Sequence, residues 1–162
     1  MTENDLVGTG FTDTVDVGGT AIDTLIADDL VNLVIGINAQ DYERIWSKLN
    51  RQSRRLGLGV SSMAIAALDI AVWDLLGKHY KRPFYRMLGR ARGRIASYIS
   101  EINLGSSDTV DDLLRRVDDY RAQGFDTVKI KIGRDDFAED LERIERVVEH
   151  LGSGRRLLVD LN

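Results

Sequence analysis

Two lysines and an aspartate in the last third of the chain have the types and spacing of a proton-transfer site. Lys129 and Lys131 alternate with apolar residues over residues 127–132, a pattern typical of a β-strand. Successive side chains of a strand point to opposite faces, so both lysines lie on one face. Asp160 and Asn162 share a face of the next predicted strand, residues 157–162. Neighbouring ammonium groups disfavour each other's protonation, which lowers a lysine pKa toward neutrality and yields a usable general base.

The same residues also fit a structural role. Charged side chains protect the edge strands of sheets, so Lys129 and Lys131 could be solvated edge residues. Asp160 could equally cap a loop or a helix. Against this, ammonium and carboxylate groups in a parallel sheet are costly unless they are paired or used. Their place near the carboxyl ends of strands, where α/β sheets and barrels keep their active sites, favours the functional interpretation.

The elements that must position these residues alternate strictly from residue 94 onward. Strands are predicted at residues 95–100, 127–132 and 157–162, which indicates an α/β unit with parallel strands and right-handed crossovers. A first helix, capped by Asp108, follows the first strand. A second helix opens at Asp135 or Asp136, and its predicted buried stripe is Phe137, Leu141, Ile144, Val148 and Leu151.

The first half of the chain reads as mostly helical. Residues 6–17 are predicted to form a short strand or hairpin, followed by a helix from Thr20 and a second helix capped by Asn38 or Asp41. Residues 51–59 are predicted to be a loop. Residues 63–78 are apolar nearly all round, which predicts a helix capped by Ser61 or Ser62 and buried on most faces. Pro83 begins a short helix that ends near Gly89.

Composition limits the function further. The chain has 162 residues, of which 43% are hydrophobic and 30% charged, with a net charge of -4, typical of a globular protein. The acidic balance and the absence of a basic run argue against nucleic-acid binding. The absence of cysteine excludes disulfides and thiolate sites and suits a cytoplasmic location. We find no signal-peptide pattern and no apolar run of about 18 residues, so no membrane span is expected.

Several other polar residues are expected to be structural. Asp69 is predicted to form a hydrogen bond within the buried helix. Asp74 and Lys78 are spaced as a helical ion pair, and the two histidines, His79 and His150, lie at helix ends, where capping or solvent exposure is common. The Gly8-x-Gly10 pair lacks the following helix of a dinucleotide-binding loop.

Four segments resemble the enolase superfamily in its mandelate racemase and muconate lactonizing branch. They are MAIAALDIAVWDLLGK at residues 63–78, PFYRMLG at 83–89, GFDTVKIKIG at 124–133 and VDLN at 159–162. The third resembles the Lys-x-Lys strand of this branch and the fourth its Asp-x-Asn strand end. The N-terminal GTGFT and Gly18-Gly19 pattern is similar to the acid-sugar dehydratases of the branch, including galactarate and talarate dehydratases.

The resemblance implies a fold and a set of roles. It implies a partial, mostly helical α+β capping domain at residues 1–93 and the first three strands of a (β/α) barrel at 94–162. Lys131 matches the base that removes the proton α to a carboxylate, and Lys129 matches its tuning partner. Asp160 matches the first of three carboxylate ligands to Mg²⁺, the ion that stabilises an enediolate. Asn162 matches a residue supporting the site and Ser100 a substrate contact; a homo-oligomer acting on an acid sugar is implied.

The sequence also departs from the family pattern. A complete barrel takes about 250 residues, and this chain stops at the third predicted strand, without further metal carboxylates or a second base. The opening strands of the capping domain are also missing. We therefore expect a fragment truncated at both ends, with no turnover as an isolated chain and an exposed, half-apolar strand edge.

Other functions are compatible with parts of the pattern. A racemase, an epimerase or a cycloisomerase of the same branch would share the proton abstraction and differ only in the fate of the enediolate. A regulatory α/β domain could use Asp160 as a phosphoacceptor, but residues 95–100 contain no partner carboxylate. A structural remnant that persists by pairing with a partner chain is the remaining alternative.

Overall fold

The computed structural model describes residues 6–101 and 109–161, and these form two compact units, Met1–Ala91 and Arg92–Asn162. The first unit is helical. Its elements are α1 (Gly19–Thr24), a π-helical segment (Leu25–Leu30), α2 (Val31–Val34), α3 (Tyr42–Ser53), a 3₁₀ turn (Arg54–Leu56), α4 (Val60–Tyr80) and α5 (Phe84–Met87). Helix α4 lies against α1, α3 and the π-helical segment. Their buried core consists of Ile22, Leu30, Ile45, Leu49, Ala64 and Ile65.

The strand or hairpin predicted for residues 6–17 is wrong, because this segment has no strand pairing and instead packs on α4. A Cβ added at Gly10 would lie 1.8 Å from the carbonyl oxygen of Ala67, so the two backbones are in direct contact. The backbone N–H of Thr9 donates to the Asp74 carboxylate at 2.7 Å, and Lys78 Nζ donates to the Val7 carbonyl at 2.8 Å. Helix side chains thus satisfy backbone groups that a neighbouring strand would otherwise satisfy.

Helix boundaries in this unit also differ from the prediction. Helix α3 continues to Ser53 and the 3₁₀ turn follows it, so residues 51–56 are not a loop. Asp41 occupies the N-cap position of α3 without a side-chain hydrogen bond. Helix α4 begins after Gly59, which has a φ of 96°, and Ser61 lies inside the first turn, where its hydroxyl donates to the Gly57 carbonyl. The serine cap was therefore placed too late in the sequence.

Helix α4 is less buried than its composition predicts. Over 18 of its 21 residues the mean hydropathy is 1.6, so by length and composition alone the helix could cross a membrane, which the sequence analysis did not expect. The core helix of a soluble protein can meet the same criteria, and Ala64 and Ile65 of α4 do lie in the core of the unit. Met63 and Ile70 remain exposed, because the described neighbours of the helix cover one of its faces.

The second unit contains a three-stranded parallel sheet in the order β1 (Ile99–Glu101), β2 (Thr127–Lys131) and β3 (Arg156–Asp160). Helix α6 (Val110–Ala122) connects β1 to β2, and α7 (Phe137–Leu151) connects β2 to β3. Both helices pack on the same face of the sheet. That face and the helices supply the second core: Leu113, Val117, Val128, Ile130, Val147 and Leu151.

Three local predictions for this unit need correction. Strand β1 begins at Ile99 rather than at residue 95, because pairing with β2 starts only there. The N-cap of α6 is Thr109, whose hydroxyl accepts from the Asp112 N–H in a capping box; Asp108 lies outside the described residues. The buried side of α7 carries Asp140, Arg143, Val147 and Leu151, whereas Phe137, Leu141 and Val148 from the predicted stripe are exposed.

Candidate active site

The candidate site is the face of the sheet opposite the two helices. Ser100, Lys129 and Leu158 are paired across the three strands, and Lys131 pairs with Asp160 one step further along. Paired residues of parallel strands point to the same face, so both lysines, Asp160 and Ser100 share it. The alternation predicted for β2 is confirmed, because Val128 and Ile130 are fully buried on the helix side.

Lys129 and Asp160 form the central ion pair of this face. Lys129 Nζ donates to Asp160 Oδ2 at 2.8 Å and lies 5.9 Å from the centre of the Tyr98 ring. Asp160 holds the pKa of Lys129 above its ordinary value, chiefly through this hydrogen bond. The expectation that the two lysines depress each other's pKa is therefore wrong for Lys129, because the carboxylate at hydrogen-bond distance raises it. The hydrogen bond to Asp160 therefore favours the protonated form of Lys129.

The backbone at the end of β2 is held by charged residues that the sequence analysis missed. The Asp140 carboxylate accepts the N–H groups of Gly133 and Arg134 at 2.6 and 2.9 Å. Arg143 donates to the carbonyl of Lys131 at 3.2 Å. Neither residue belongs to the buried stripe that the sequence predicted for α7. A sequence signal was nevertheless present, because Asp140, Arg143, Val147 and Leu151 recur at helical spacing.

Glu101 is a second residue that sequence analysis missed, since the first strand was placed too early to include it. It lies on the helix side of the sheet, where its carboxylate accepts from Arg116 Nε at 3.0 Å and from the Tyr120 hydroxyl at 2.6 Å. This hydrogen bond to Glu101 raises the pKa of Tyr120. Glu101 therefore faces away from Asp160 and cannot form an acidic pocket with it, which further weakens the phosphoacceptor alternative.

The described residues do not form a complete metal centre. Mg²⁺ is bound in an octahedron of oxygen ligands, and Asp160 supplies one carboxylate to the site face. Within residues 6–101 and 109–161, no group of three or more histidine, cysteine, aspartate or glutamate side chains could hold a metal ion. One oxygen of the Asp160 carboxylate, Oδ2, accepts from Lys129. The donor set present does not fit Mg²⁺ by itself, and Asn162 lies outside the described residues.

Of the polar residues in the first unit, Asp74 and Lys78 form the expected ion pair at 2.6 Å. Asp69 differs from its prediction, because in the described part of the chain we find no hydrogen-bond partner for it. It lines a largely apolar cavity of about 580 Å³ with Trp73 and Phe84, and burial raises its pKa. His150 contacts Asp118 at 2.8 Å on the outer surface of the second unit, away from the lysine face.

Comparison with known proteins defines the class. Residues 1–89 match the family model of the mandelate racemase / muconate lactonizing enzyme N-terminal domain, and residues 112–162 match that of the enolase C-terminal domain-like family. The chain therefore belongs to the mandelate racemase and muconate lactonizing enzyme family of the enolase superfamily, as the sequence motifs predicted.

Individual relatives differ in their reactions. The chain is 36% identical over 156 residues to a 3,6-anhydro-alpha-L-galactonate cycloisomerase of Streptomyces coelicolor, covering 96% of this chain and 43% of the relative. A racemase from Streptomyces coelicolor A3(2), crystallised with bound magnesium, superposes with a TM-score of 0.90 at 33% identity, covering 99% of this chain and 48% of that one.

A dehydratase is also among the similar structures. The L-talarate dehydratase of Polaromonas sp. JS666, crystallised with Mg and L-glucarate, superposes with a TM-score of 0.83 at 29% identity over 96% of this chain and 41% of its own. The chain thus spans less than half the length of these relatives. The family of the chain is established. The relatives within that family include both lyases and isomerases, so family membership alone does not define the reaction.

Proposed function

We propose that this chain contributes the proton-abstracting half of an enzyme that removes the proton α to the carboxylate of an acid sugar. The observation that carries the proposal is the placement of Lys129, Lys131 and Asp160 on one face of a parallel sheet, near the carboxyl ends of β2 and β3. Enzymes with α/β sheets and barrels place their catalytic groups at those strand ends.

The winding of the second unit supports a barrel as the parent fold. Its strands are adjacent in sequence order, and both connecting helices lie on one face of the sheet. In a (β/α) barrel every helix lies outside and the opposite face of the sheet lines the interior. A doubly wound open sheet instead carries helices on both faces. The lysine face then corresponds to the barrel interior.

We assign the roles as follows. Lys131 is the base that accepts the α-proton, and Lys129 is the adjacent cation, kept protonated by its hydrogen bond to Asp160. A fixed cation there attracts a carboxylate substrate and stabilises negative charge that develops as the proton leaves. Ser100, in register with Lys129, is the proposed substrate contact. Asn162 keeps its predicted supporting role.

Asp160 is the proposed metal ligand. When bound, Mg²⁺ would supply a Lewis acid for the negative charge of the enediolate, and the remaining ligands would have to come from outside the described residues. We therefore expect the 162-residue chain, tested alone, to show no turnover. A cytoplasmic location and homo-oligomeric assembly stay predictions.

We favour water elimination, a sugar-acid dehydratase, as the fate of the enediolate. The N-terminal GTGFT pattern and the similarity to an L-talarate dehydratase support it. A racemase or epimerase, or a cycloisomerase, uses the same proton abstraction, and the cycloisomerase and racemase relatives support those alternatives equally.

The test is a chimera in which these 162 residues replace the matching portion of the Polaromonas L-talarate dehydratase. The chimera is incubated with Mg²⁺ and L-glucarate or galactarate in D₂O, and loss of the α-proton signal is followed by ¹H NMR. Release of a 2-keto product is followed with semicarbazide. We expect exchange that is abolished in Lys131→Met and retained in Lys48→Met, a matched change at an exposed lysine of α3.

Two results would overturn the proposal. One is exchange that persists in a folded Lys131→Met chimera, which would remove the base assignment. The other is a chimera that melts cooperatively by circular dichroism and still exchanges the α-proton of neither acid sugar. Exchange without a 2-keto product would still support proton abstraction by Lys131 and would leave the fate of the enediolate unsupported. Sequencing the DNA on both sides of this segment tests whether further strand-end carboxylates are encoded.

A further inference from the structure

Two charged side chains of α7 are buried directly behind the end of β2. Asp140 and Arg143 are 4% and 3% exposed, values usual for core leucines in this protein. Burying a charged group costs roughly several kcal/mol per ion unless the group is paired and hydrogen-bonded. Charged side chains at two core positions of a helix are therefore expected to make hydrogen bonds that an aliphatic side chain could not supply.

Asp140 binds the backbone that follows Lys131. Its Oδ2 accepts the N–H groups of both Gly133 and Arg134, so one carboxylate oxygen holds two consecutive amides. Gly133 has a φ of 110°, in the region that favours glycine. The chain therefore turns sharply immediately after β2, and the carboxylate fixes that turn.

Arg143 binds the strand itself. Its Nη1 donates to the carbonyl of Lys131 at 3.2 Å and lies 3.8 Å from Asp140 Oδ1. The carboxylate and guanidinium thus compensate each other's charge while they hold three backbone groups, at positions 131, 133 and 134. On the other side, the N–H of Ile132 donates to the Asp160 carbonyl at 2.9 Å, which ties the same turn to β3.

We propose that the Asp140–Arg143 pair is a positioning device for Lys131, fixing the end of β2 so that the Lys131 side chain is directed across the site face. The inference rests on the proposed function for the role of Lys131 as base. Neither residue touches a reacting atom, since both lie on the helix side of the sheet. Misplacing a catalytic group by about 1 Å can lower a rate about 100-fold, so control of this backbone has a direct effect on turnover.

The backbone part of the proposal is tested on the 162-residue chain by NMR hydrogen exchange. In Asp140→Ala the amides of Gly133 and Arg134 lose their acceptor, and we expect their exchange to accelerate about tenfold or more, the factor of a lost charged hydrogen bond. In Arg143→Gln the ¹³C signal of the Lys131 carbonyl should move. Glu142→Ala, which removes an exposed carboxylate on the solvent side of the same helix, is the matched control and should leave all three signals unchanged.

The catalytic part is tested in the active chimera described above. A positioning role predicts that Asp140→Ala and Arg143→Gln lower kcat for α-proton exchange about 10- to 100-fold with KM nearly unchanged. Arg143→Lys, which keeps a cationic donor, should recover part of kcat. A merely structural role predicts a lower melting temperature, with kcat of the folded fraction unaffected and no recovery specific to lysine.

The outcomes separate this inference from the proposed function. Unchanged amide exchange at Gly133 and Arg134 in Asp140→Ala overturns the positioning pair, whatever the chimera does. Accelerated amide exchange with an unchanged kcat for α-proton exchange also overturns it, while leaving Lys131 as base. Accelerated amide exchange together with a fall in that kcat supports it. An inactive but folded wild-type chimera removes the proposed function and, with it, the catalytic purpose of the pair, while the amide measurements still report whether the pair holds the strand end.

Discussion

Replacement of Gly10 by alanine tests the unexpected packing of the N-terminal segment on α4. The added Cβ would lie 1.8 Å from the Ala67 carbonyl oxygen and 2.7 Å from the backbone nitrogen of Ala71. Carbon atoms normally make contact at about 3.5–4.0 Å. The atoms that would have to move are helix backbone, fixed by the hydrogen bonds of α4, so the segment itself must lift away.

The size of the effect follows from that geometry. Forcing one extra methyl group into a packed contact typically costs about 1–3 kcal/mol, and a rigid backbone partner places this site near the upper end. For a unit of this size each kcal/mol corresponds to roughly 4–8 °C in melting temperature. We therefore expect Gly10→Ala to lower the melting temperature of the first unit by about 10–20 °C.

Both tryptophans, Trp46 and Trp73, lie in the first unit, so tryptophan fluorescence during heating reports on its unfolding selectively. The control is Gly19→Ala, at the start of α1, where the nearest atom to the new Cβ is 3.8 Å away. That variant should melt like the wild type or slightly higher, because alanine favours helix. A Gly10→Ala chain that melts with the wild type would refute the packing of residues 6–10 on α4.

Three further changes test single contacts. Burial raises the pKa of Asp69, so its contribution to stability is most favourable below the ordinary carboxyl pKa and is lost as pH rises through the folded-state value; Asp69→Asn should raise stability at pH 7, and a urea midpoint that rises as much at pH 3 would contradict this. The pKa of Tyr120 is raised by Glu101, so the stability it supplies is lost as pH rises above about 10. Tyr120→Phe should lose the most alkaline step of the tyrosine absorbance titration, and an unaltered titration curve would exclude the Glu101 contact. Thr109→Ala removes the cap of α6 and should cost about 1 kcal/mol in urea unfolding, whereas Thr109→Ser should retain most of the stability.

Much of the second unit could be predicted because its pattern is local. Alternation along β2 correctly predicted that Lys129 and Lys131 share the polar face of the strand. Asp136, one of the two predicted caps, does begin α7, since its carboxylate accepts from the Ala138 N–H. Pro83 likewise marked the short helix α5. In each case neighbouring residues determine the outcome, through strand geometry, helix capping or a fixed proline φ.

The errors arose where distant contacts reverse a local preference. Asp140 and Arg143 lie outside the predicted buried stripe of α7, yet they are buried, where they bind backbone groups at the end of β2 and in the loop after it. Gly8 and Gly10 indicated a hairpin, but their lack of a side chain serves close contact with α4. The pKa of Lys129 depends on Asp160, which lies 31 residues away in sequence. None of these partners can be identified from the local pattern alone.

The register of the sheet has a consequence for how the second unit forms. Ile99 is paired with Val128, and Val128 with Leu157, so the two pairings join residues at the same separation along the chain. Each strand can therefore be added at nearly the same loop-closure cost, and no pairing has to wait for a distant segment. During synthesis, β1 can pair with β2 before β3 has left the ribosome. Lys129 and Lys131 would then be positioned first, in a sheet of two strands, and Asp160 would join them when β3 is added.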